Sequence, residues 1–288
     1  MLQHKMKSFD LPPLREVIRR YGLNARKSLG QHFILDPNLT NRITRTAGAL
    51  EGYNVIEIGP GPGGLTRALL DSAAKSIVVV EKDFRCLAIL RDLQDLYGRR
   101  LQIINSDALE LDLPSITPMP RKIVANLPYN IATTLLLKCL RESGAYDRLT
   151  LMFQSDVAKR LIAKPSTKAY GRLSVVAQWL CEVRSEFNIS KNAFTPPPKV
   201  MSTISTLIPR SSPPNPVNFE SMEFVTAAAF GQRRKMLKSS LKSLELDLHR
   251  IGINPTARAE ELSIRDFCNL AQALEDHHEM NNTYRHKG

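Results

Sequence analysis

The chain has 288 residues, 43% of them hydrophobic, enough to bury a substantial core in one large domain with a smaller one beside it. With 40 Lys+Arg against 28 Asp+Glu the formal charge is +12, which favours anionic partners, nucleic acid above all. No stretch approaches transmembrane length and Met1 to Asp10 holds no apolar run suited to a signal peptide, so the expectation is a cytoplasmic protein with no membrane partner. Cys86, Cys139, Cys181 and Cys268 are far apart and show no CxxC pairing, so reduced core thiols are expected and no metal site.

Leu11, Leu14, Val17, Ile18 and Tyr21 recur at helical spacing, with Arg15, Arg19 and Arg20 on the opposite side as a solvated basic face. Lys27 to Asp36 is compact, with His32 and Phe33 between polar groups, and Pro37 precedes a helix predicted from Asn38 to Ala49. Val55 to Thr66 then reads as strand, tight turn and helix, the helix starting near Leu65. Gly59, Gly61 and Gly64 fit GxGxxG, a loop that lets backbone approach a nucleotide-like ligand at the carboxyl edge of a parallel sheet. On this motif alone a dehydrogenase and a methyltransferase are both open.

Ser76 to Glu81 is a second buried strand, and Glu81 lies about 20 residues past the loop, where a carboxylate can accept from ribose hydroxyls. Leu101 to Asp107 is a third strand, again ending in an acid, and Lys122 to Asn126 a fourth. Acids at two successive strand ends favour a nucleoside ligand over simple helix caps, and the alternation of strands and helices indicates a parallel α/β sheet. Leu149 to Gln154 continues the sheet, a helix with Arg160 follows, and Tyr170 to Val175 opens another helix. Ala193 to Val200 is stiffened by Pro196, Pro197 and Pro198, Thr203 to Ile208 is a last strand, and Pro209 to Pro216 reads as a linker.

From Phe219 onward the pattern is helical. Leu237, Leu241, Leu244 and Leu248 form an apolar stripe, and Arg234, Lys238 and Lys242 a basic one to which Arg233 and Lys235 add charge. The tail from His277 to Gly288 is polar, is expected to fray, and lacks metal-ligand spacing.

Asn126-Leu127-Pro128-Tyr129 separates hydride from methyl transfer. Pro128 keeps Leu127 extended, so the Leu127 carbonyl and the Asn126 amide oxygen offer two acceptors to one exocyclic amine, while Tyr129 offers a face on which its base can stack. Such an amine needs orientation toward an electrophilic methyl group more than it needs a strong base, because the ammonium formed loses its proton readily to water.

Taken together, Gly30-Gln31-His32-Phe33, Glu57 to Gly61, Asp107-Ala108, Asn126 to Tyr129, Tyr170 to Val175, Phe194 to Val200 and Gln232 to Lys235 resemble the ribosomal RNA adenine dimethyltransferase family, most closely its bacterial small-subunit (16S) branch. The resemblance spans nearly the whole chain. It implies an α/β, Rossmann-like class I S-adenosylmethionine-dependent methyltransferase domain over 1–209, with a helical extension at 1–27 and a smaller C-terminal α-helical RNA- and ribosome-binding domain over 210–288. S-adenosylmethionine is the implied methyl donor, consumed as co-substrate, with His32, Ile34, Gly59, Gly61, Glu81, Asp107 and Asn126 lining its pocket. Glu81 would hold the ribose and Asp107 the adenine of the donor. Asn126, Leu127, Pro128, Tyr129 and Phe194 would carry the chemistry, Tyr129 and Phe194 clamping the target adenine.

The implied reaction dimethylates two adjacent adenosines near the 3′ end of 16S rRNA within the small (30S) subunit, by a monomer active in small-subunit biogenesis. Arg233, Arg234, Lys235 and Lys238 would grip RNA phosphates. His32 stands where many relatives carry Asn, and Ile34 where Leu is common. The related large-subunit rRNA methyltransferase and a noncatalytic assembly factor are the competing readings. The length of the basic C-terminal part argues against the first, and the presence of Glu81, Asp107 and Asn126 against the second.

Overall fold

The computed structural model describes residues 11–285, with side chains described as far as His277. Met1 to Asp10 and residues 286–288, including the start and the very end of the tail read above, lie outside the described residues. The chain divides into two compact units, one of residues up to 158 together with 184–209, the other of 159–183 together with 210 onward. The second unit thus draws on two separate stretches of chain.

In the first unit, α1 (Leu14–Arg20) buries Leu14 and Val17 as its spacing predicts. The two-residue strand β1 (Phe33–Ile34) follows, then α2 (Pro37–Thr46), whose start is set by Pro37 in its first turn and by the Asp36 carboxylate, which accepts from the Asn38 N–H at 2.9 Å. Val55, Ile56 and Ile58, with Asn54 and Glu57 among them, fold as β2 (Asn54–Ile58), buried at all five positions. Burying each Val or Ile there stabilises the fold by about 1.5–3 kcal/mol. Next come α3 (Gly64–Leu70), β3 (Ser76–Glu81), α4 (Leu87–Tyr97), β4 (Leu101–Asn105), β5 (Arg121–Ala125), α5 (Ala132–Arg141), β6 (Arg148–Gln154) and α6 (Ser155–Leu161), whose residues from Lys159 on belong to the second unit.

α7 (Arg172–Leu180) runs into β7 (Cys181–Ile189), followed by β8 (Phe194–Thr195) and β9 (Ser202–Pro209). The main sheet has seven strands in the order β4-β3-β2-β5-β6-β9-β7, while β8 pairs with β1 in a separate two-stranded ladder. Strands β4 through β6 are parallel, but β9 is antiparallel to β6, with Ser202 opposite Gln154 and Leu207 opposite Leu149. The sheet is therefore mixed where an all-parallel one is expected from sequence. The reason is that β9 starts at the carboxyl edge of the parallel strands and can only run back from it. That reversal delivers the proline-rich segment to the edge where Gly59, Glu81 and Asn126 emerge.

Strand β7 escapes the hydrophobic pattern because only Cys181 and Ile189 are buried, while Glu182, Arg184, Ser185 and Glu186 are exposed. Helix α2 ends at Thr46, short of the predicted Ala49, because Gly48 adopts φ 73° and ends the turn.

In the second unit, α8 (Phe219–Gly231) and α10 (Ile264–Arg285) pack together, and Phe230 lies between Tyr170 and Phe267 with ring centroids 6.1 and 5.5 Å away. The Tyr170 hydroxyl donates to the Leu262 carbonyl at 3.0 Å. The leucine stripe does not form one long helix. After α9 (Leu237–Ser240) the chain makes a 3-10 turn at Lys242–Leu244, and Glu245 takes a positive φ of 53°. Leu237, Leu241, Leu244 and Leu248 are nonetheless all buried, so periodicity marked the core but not the break. Helix α10 continues through His277 to Arg285, where a frayed tail is expected from polarity alone.

Candidate active site

The cleft at the carboxyl edge of the first unit is lined by Gly30 to Ile34, Glu57 to Pro62, Glu81, Asp107 and Asn126 to Ile131, among others. The glycine loop forms one wall. Gly59, Gly61 and Gly63 have positive φ of 68°, 55° and 86°, the left-handed backbone that a turn from strand to helix needs here. Gly64 is required for a different reason: a Cβ there would lie 2.5 Å from the Ile34 carbonyl oxygen, so only glycine lets α3 approach β1.

Glu81 ends β3 and is 6% exposed. Its Oε2 accepts from the Gly61 N–H at 2.9 Å and its Oε1 from the Asp83 N–H at 2.7 Å, so this carboxylate braces the glycine loop against its own strand end. Each oxygen keeps a further lone pair for a ligand hydroxyl. Burial pushes its carboxyl above the usual range, and the bonds from Asp83 and Gly61 oppose that rise.

Asp107 takes the Leu109 N–H on Oδ1 at 2.9 Å and pairs through Oδ2 with Lys82 at 2.6 Å, which holds it below the ordinary carboxylate range. Lys82 is 63% exposed, so this pairing is screened and worth little in stability. Lys138 steadies the same turn by donating to the Ala108 and Leu109 carbonyls.

Asn126 follows β5, and its Nδ2 donates to the His32 carbonyl at 3.1 Å. That bond points Oδ1 away from the backbone of His32. Neither Asn126 Oδ1 nor the Leu127 carbonyl takes a hydrogen bond among the described residues. Two acceptors therefore stand uncommitted at the strand end. The Ile131 N–H closes that turn onto the Pro128 carbonyl at 3.1 Å.

The aromatic groups come from three distant parts of the chain. The His32 ring lies 5.4 Å from Tyr129 and 6.5 Å from Phe194, and its Nδ1 is 2.7 Å from the Pro196 carbonyl oxygen, a bond in which the ring nitrogen donates. His32, read from sequence as a donor-pocket residue, thus lines the cleft while its ring faces the two aromatics. Phe194 is only 3% exposed and Tyr129 half-buried, so most of the accessible aromatic face belongs to Tyr129.

Glu57, read from sequence only as part of the motif Glu57 to Gly61, also reaches this cleft. It lines the cleft, is 1% exposed, and burial pushes its carboxyl up to about 8, while its Oε2 has no hydrogen-bond partner. Its signal in the sequence is an acid inside an otherwise apolar strand just before the glycine loop.

The four basic residues of the C-terminal part separate into two kinds. Arg233 is spent internally, its guanidinium bonding Glu260 at 2.9 Å and the Lys168 and Tyr170 carbonyls at 2.7 and 3.1 Å. Arg234, Lys235 and Lys238 are exposed, and their side chains have no partner among the described residues. Among the described residues no group of three or more His, Cys, Asp or Glu could hold a metal ion, and no helix is long and apolar enough to cross a membrane. All four cysteines are buried and free.

A cleft with a glycine wall, two strand-end acids and an uncommitted amide oxygen is now in place, and residues 22–276 match the family model described as ribosomal RNA adenine dimethylase. The chain belongs to that family. Among its relatives, ribosomal RNA small subunit methyltransferase A of Paramagnetospirillum magneticum is 59% identical over 92% of this chain and 96% of its own length. The protein of the same name from Rhodospirillum rubrum is 52% identical over 92% of this chain and 93% of its own length.

Among solved structures, a dimethyladenosine transferase from Plasmodium falciparum shares the fold at TM-score 0.73 and 24% identity, covering 85% of this chain and 98% of that one. The 23S rRNA methyltransferase ErmE matches at TM-score 0.61 and 26% identity, covering 84% and 99%. This dimethylase therefore has the Rossmann-like methyltransferase fold expected of it, with helices α8 to α10 following the sheet.

Proposed function

We propose that the protein uses S-adenosylmethionine to dimethylate the exocyclic amino groups of two adjacent adenosines near the 3′ end of 16S rRNA in the small ribosomal subunit. The observation that carries this reading is the pair of uncommitted acceptors, Asn126 Oδ1 and the Leu127 carbonyl, at a strand end beside the half-buried Tyr129. The small-subunit substrate is supported by two relatives at 59% and 52% identity that carry that name.

The residues present suit the donor. Its amino-acid portion needs backbone at close range, and Gly59, which lines the cleft with a positive φ of 68°, would offer it with no Cβ in the way. Glu81, held rigid by two backbone amides, would accept from the ribose hydroxyls, and Asp107 from the adenine amino group. Ile34 supplies an apolar contact, and the main chain at His32 a polar one. When bound, the donor supplies an electrophilic methyl group.

The protein's own part is then orientation. Asn126 Oδ1 and the Leu127 carbonyl accept the two N–H groups of the target amine, turning its lone pair out of the base plane toward the methyl group. Pro128 keeps Leu127 extended so that its carbonyl can take part. Tyr129 stacks on the base, worth about 1–3 kcal/mol, with Phe194 on the other side. After transfer the ammonium releases its proton to water. The second methylation needs only one N–H, which either acceptor can take.

In this reading residues 1–209 carry donor binding and chemistry, and 210–288 grip RNA through Arg234, Lys235 and Lys238, with Arg233 fixing the local fold that presents them. The protein acts as a monomer in the cytoplasm, where small subunits mature. The test is transfer of labelled methyl from S-adenosylmethionine to small subunits lacking adenine dimethylation. Wild type is expected to label adenine and Asn126→Ala to lose about 10²–10³ in kcat, the loss typical of a preorganised polar group. An Asn126→Ala variant with undiminished transfer contradicts the assigned chemistry.

A further inference from the structure

The segment from Phe194 to Ser202 is fixed at both ends, and each end touches one half of the aromatic pair. At its start Phe194 is part of β8, whose ladder with β1 places Phe194 opposite Ile34, and the next carbonyl but one, that of Pro196, is held by His32 Nδ1 at 2.7 Å. Pro196, Pro197 and Pro198 stiffen the interior. At its end, the Met201 carbonyl accepts from the Ser155 N–H at 2.9 Å, and Ser202 opens β9 opposite Gln154. Thr203, the next residue, shares a hydrogen bond with Ser155 Oγ at 3.0 Å and donates to Asn188 Oδ1 at 2.8 Å. Ser202 is thus immobilised by its neighbours on both sides, is fully buried, and has one polar atom left to place.

That atom, Ser202 Oγ, shares a hydrogen bond of 2.5 Å with the Tyr129 hydroxyl, 73 residues away in sequence. Tyr129 itself stands in a turn, where nothing in the backbone fixes its ring about χ1 and χ2. Its packing against the core and the tilted approach of the His32 ring are non-directional, whereas the bond to Ser202 defines a position for the ring's far end.

We propose that Ser202 is a positioning residue for methyl transfer: through the Tyr129 hydroxyl it ties that ring to the same stiff segment that carries Phe194, and so sets the gap into which the target base fits. This rests on the reading of Tyr129 and Phe194 as the two faces that hold the base. Phe194 belongs to the segment covalently, and Tyr129 is latched to its other end. The width of the gap is therefore set by one segment of chain anchored at both ends, although the rings come from different parts of the fold. A free Tyr129 ring would still stack on a base but would sample positions in which the amine misses Asn126 Oδ1. The cost falls on the chemical step, not on donor binding.

Tyr129→Phe keeps the ring and removes the latch from one side; Ser202→Ala removes it from the other. With wild type and the double variant these form a cycle, assayed by methyl transfer to unmodified small subunits at saturating donor and subunit, alongside the KM for S-adenosylmethionine and thermal unfolding. Each single variant is expected to lower kcat about tenfold with an unchanged KM for the donor, and the double variant to be no slower than either single. Losses that multiply to about a hundredfold in the double variant overturn the proposal, as does wild-type kcat in either folded single variant. Should Ser202→Ala fail to fold, Tyr129→Phe decides by the same criterion. Tyr129→Ala separates the two readings: wild-type transfer by that variant removes the stacking role on which the latch depends. Loss in Tyr129→Ala with full activity in Tyr129→Phe and Ser202→Ala leaves stacking in place and removes the latch alone.

Discussion

The two sides of the cleft are built differently. The donor side is local: Gly59 to Gly64, Glu81 and Asp107 sit at the ends of three adjacent parallel strands, and their bonds run to backbone amides close by in the sheet, such as Gly61, Asp83 and Leu109. The acceptor side is assembled from afar: His32, Tyr129, Phe194, Ser202 and the Pro196 carbonyl meet through contacts separated by as many as 164 residues along the chain. A site held by backbone resists small changes in side chains, whereas one held by single long-range contacts can be detuned by one atom. On the function proposed above, the donor side would then govern affinity for the donor, and the acceptor side whether the bound base reacts.

The comparison breaks most visibly at Glu81. In Glu81→Ala the Gly61 and Asp83 amides lose their acceptor, and the donor loses the ribose contact proposed for this carboxylate. Donor affinity is expected to fall about a hundredfold, the effect of two hydrogen bonds to a charged group, and calorimetric titration reads it directly. A smaller loss would mean that the strand-end acid only braces the loop.

Glu57 sharpens the same side through pH. Its carboxyl is raised from 4.5 to about 8 by burial, so the folded chain prefers it protonated. That contribution to stability is complete below pH 4.5 and is lost as pH rises to about 8 and beyond. Glu57→Gln, neutral at every pH, should therefore raise Tm at pH 8.5 by several degrees, each 1 kcal/mol being worth roughly 2–4 °C in a chain of this size. The advantage should shrink toward pH 5. A pH-independent difference in Tm would place the effect in packing instead.

The smallest change is expected at Lys82. Because it is 63% exposed, its pairing with Asp107 is screened, and Lys82→Ala should weaken donor binding by no more than about fivefold. A loss approaching that of Glu81→Ala would show Asp107 to be unusable without its lysine.

The same contrast governs what could be read in advance. The glycine loop, the strand-end acids and the Asn-Leu-Pro-Tyr turn are short motifs at strand ends, so their gathering at one cleft was legible. Most of the strands were legible too, because runs such as Ile77 to Val80 are buried from both faces and carry only apolar residues. The direction of β9 was not, since antiparallel pairing with β6 is set by where the proline-rich segment begins and no local pattern encodes it. Strand β7 was hidden by its exposed charges, and the broken helix around Lys242 by leucines that are buried either way. Ser202 carries no signal of its own: a serine at the start of a strand gains a role only when the fold brings Tyr129 to it. Arg233 adds a role that sequence does not show, a cation in a basic run whose guanidinium also holds Glu260 and two backbone carbonyls.

The most direct test of the account is to incubate wild-type protein and labelled S-adenosylmethionine with small subunits lacking adenine dimethylation and to locate the label in the RNA by digestion and mass analysis. Two adjacent dimethylated adenosines near the 3′ end of the 16S rRNA are the predicted result. Label at another position or on another base, or no label on subunits that a relative of this family can modify, would contradict it.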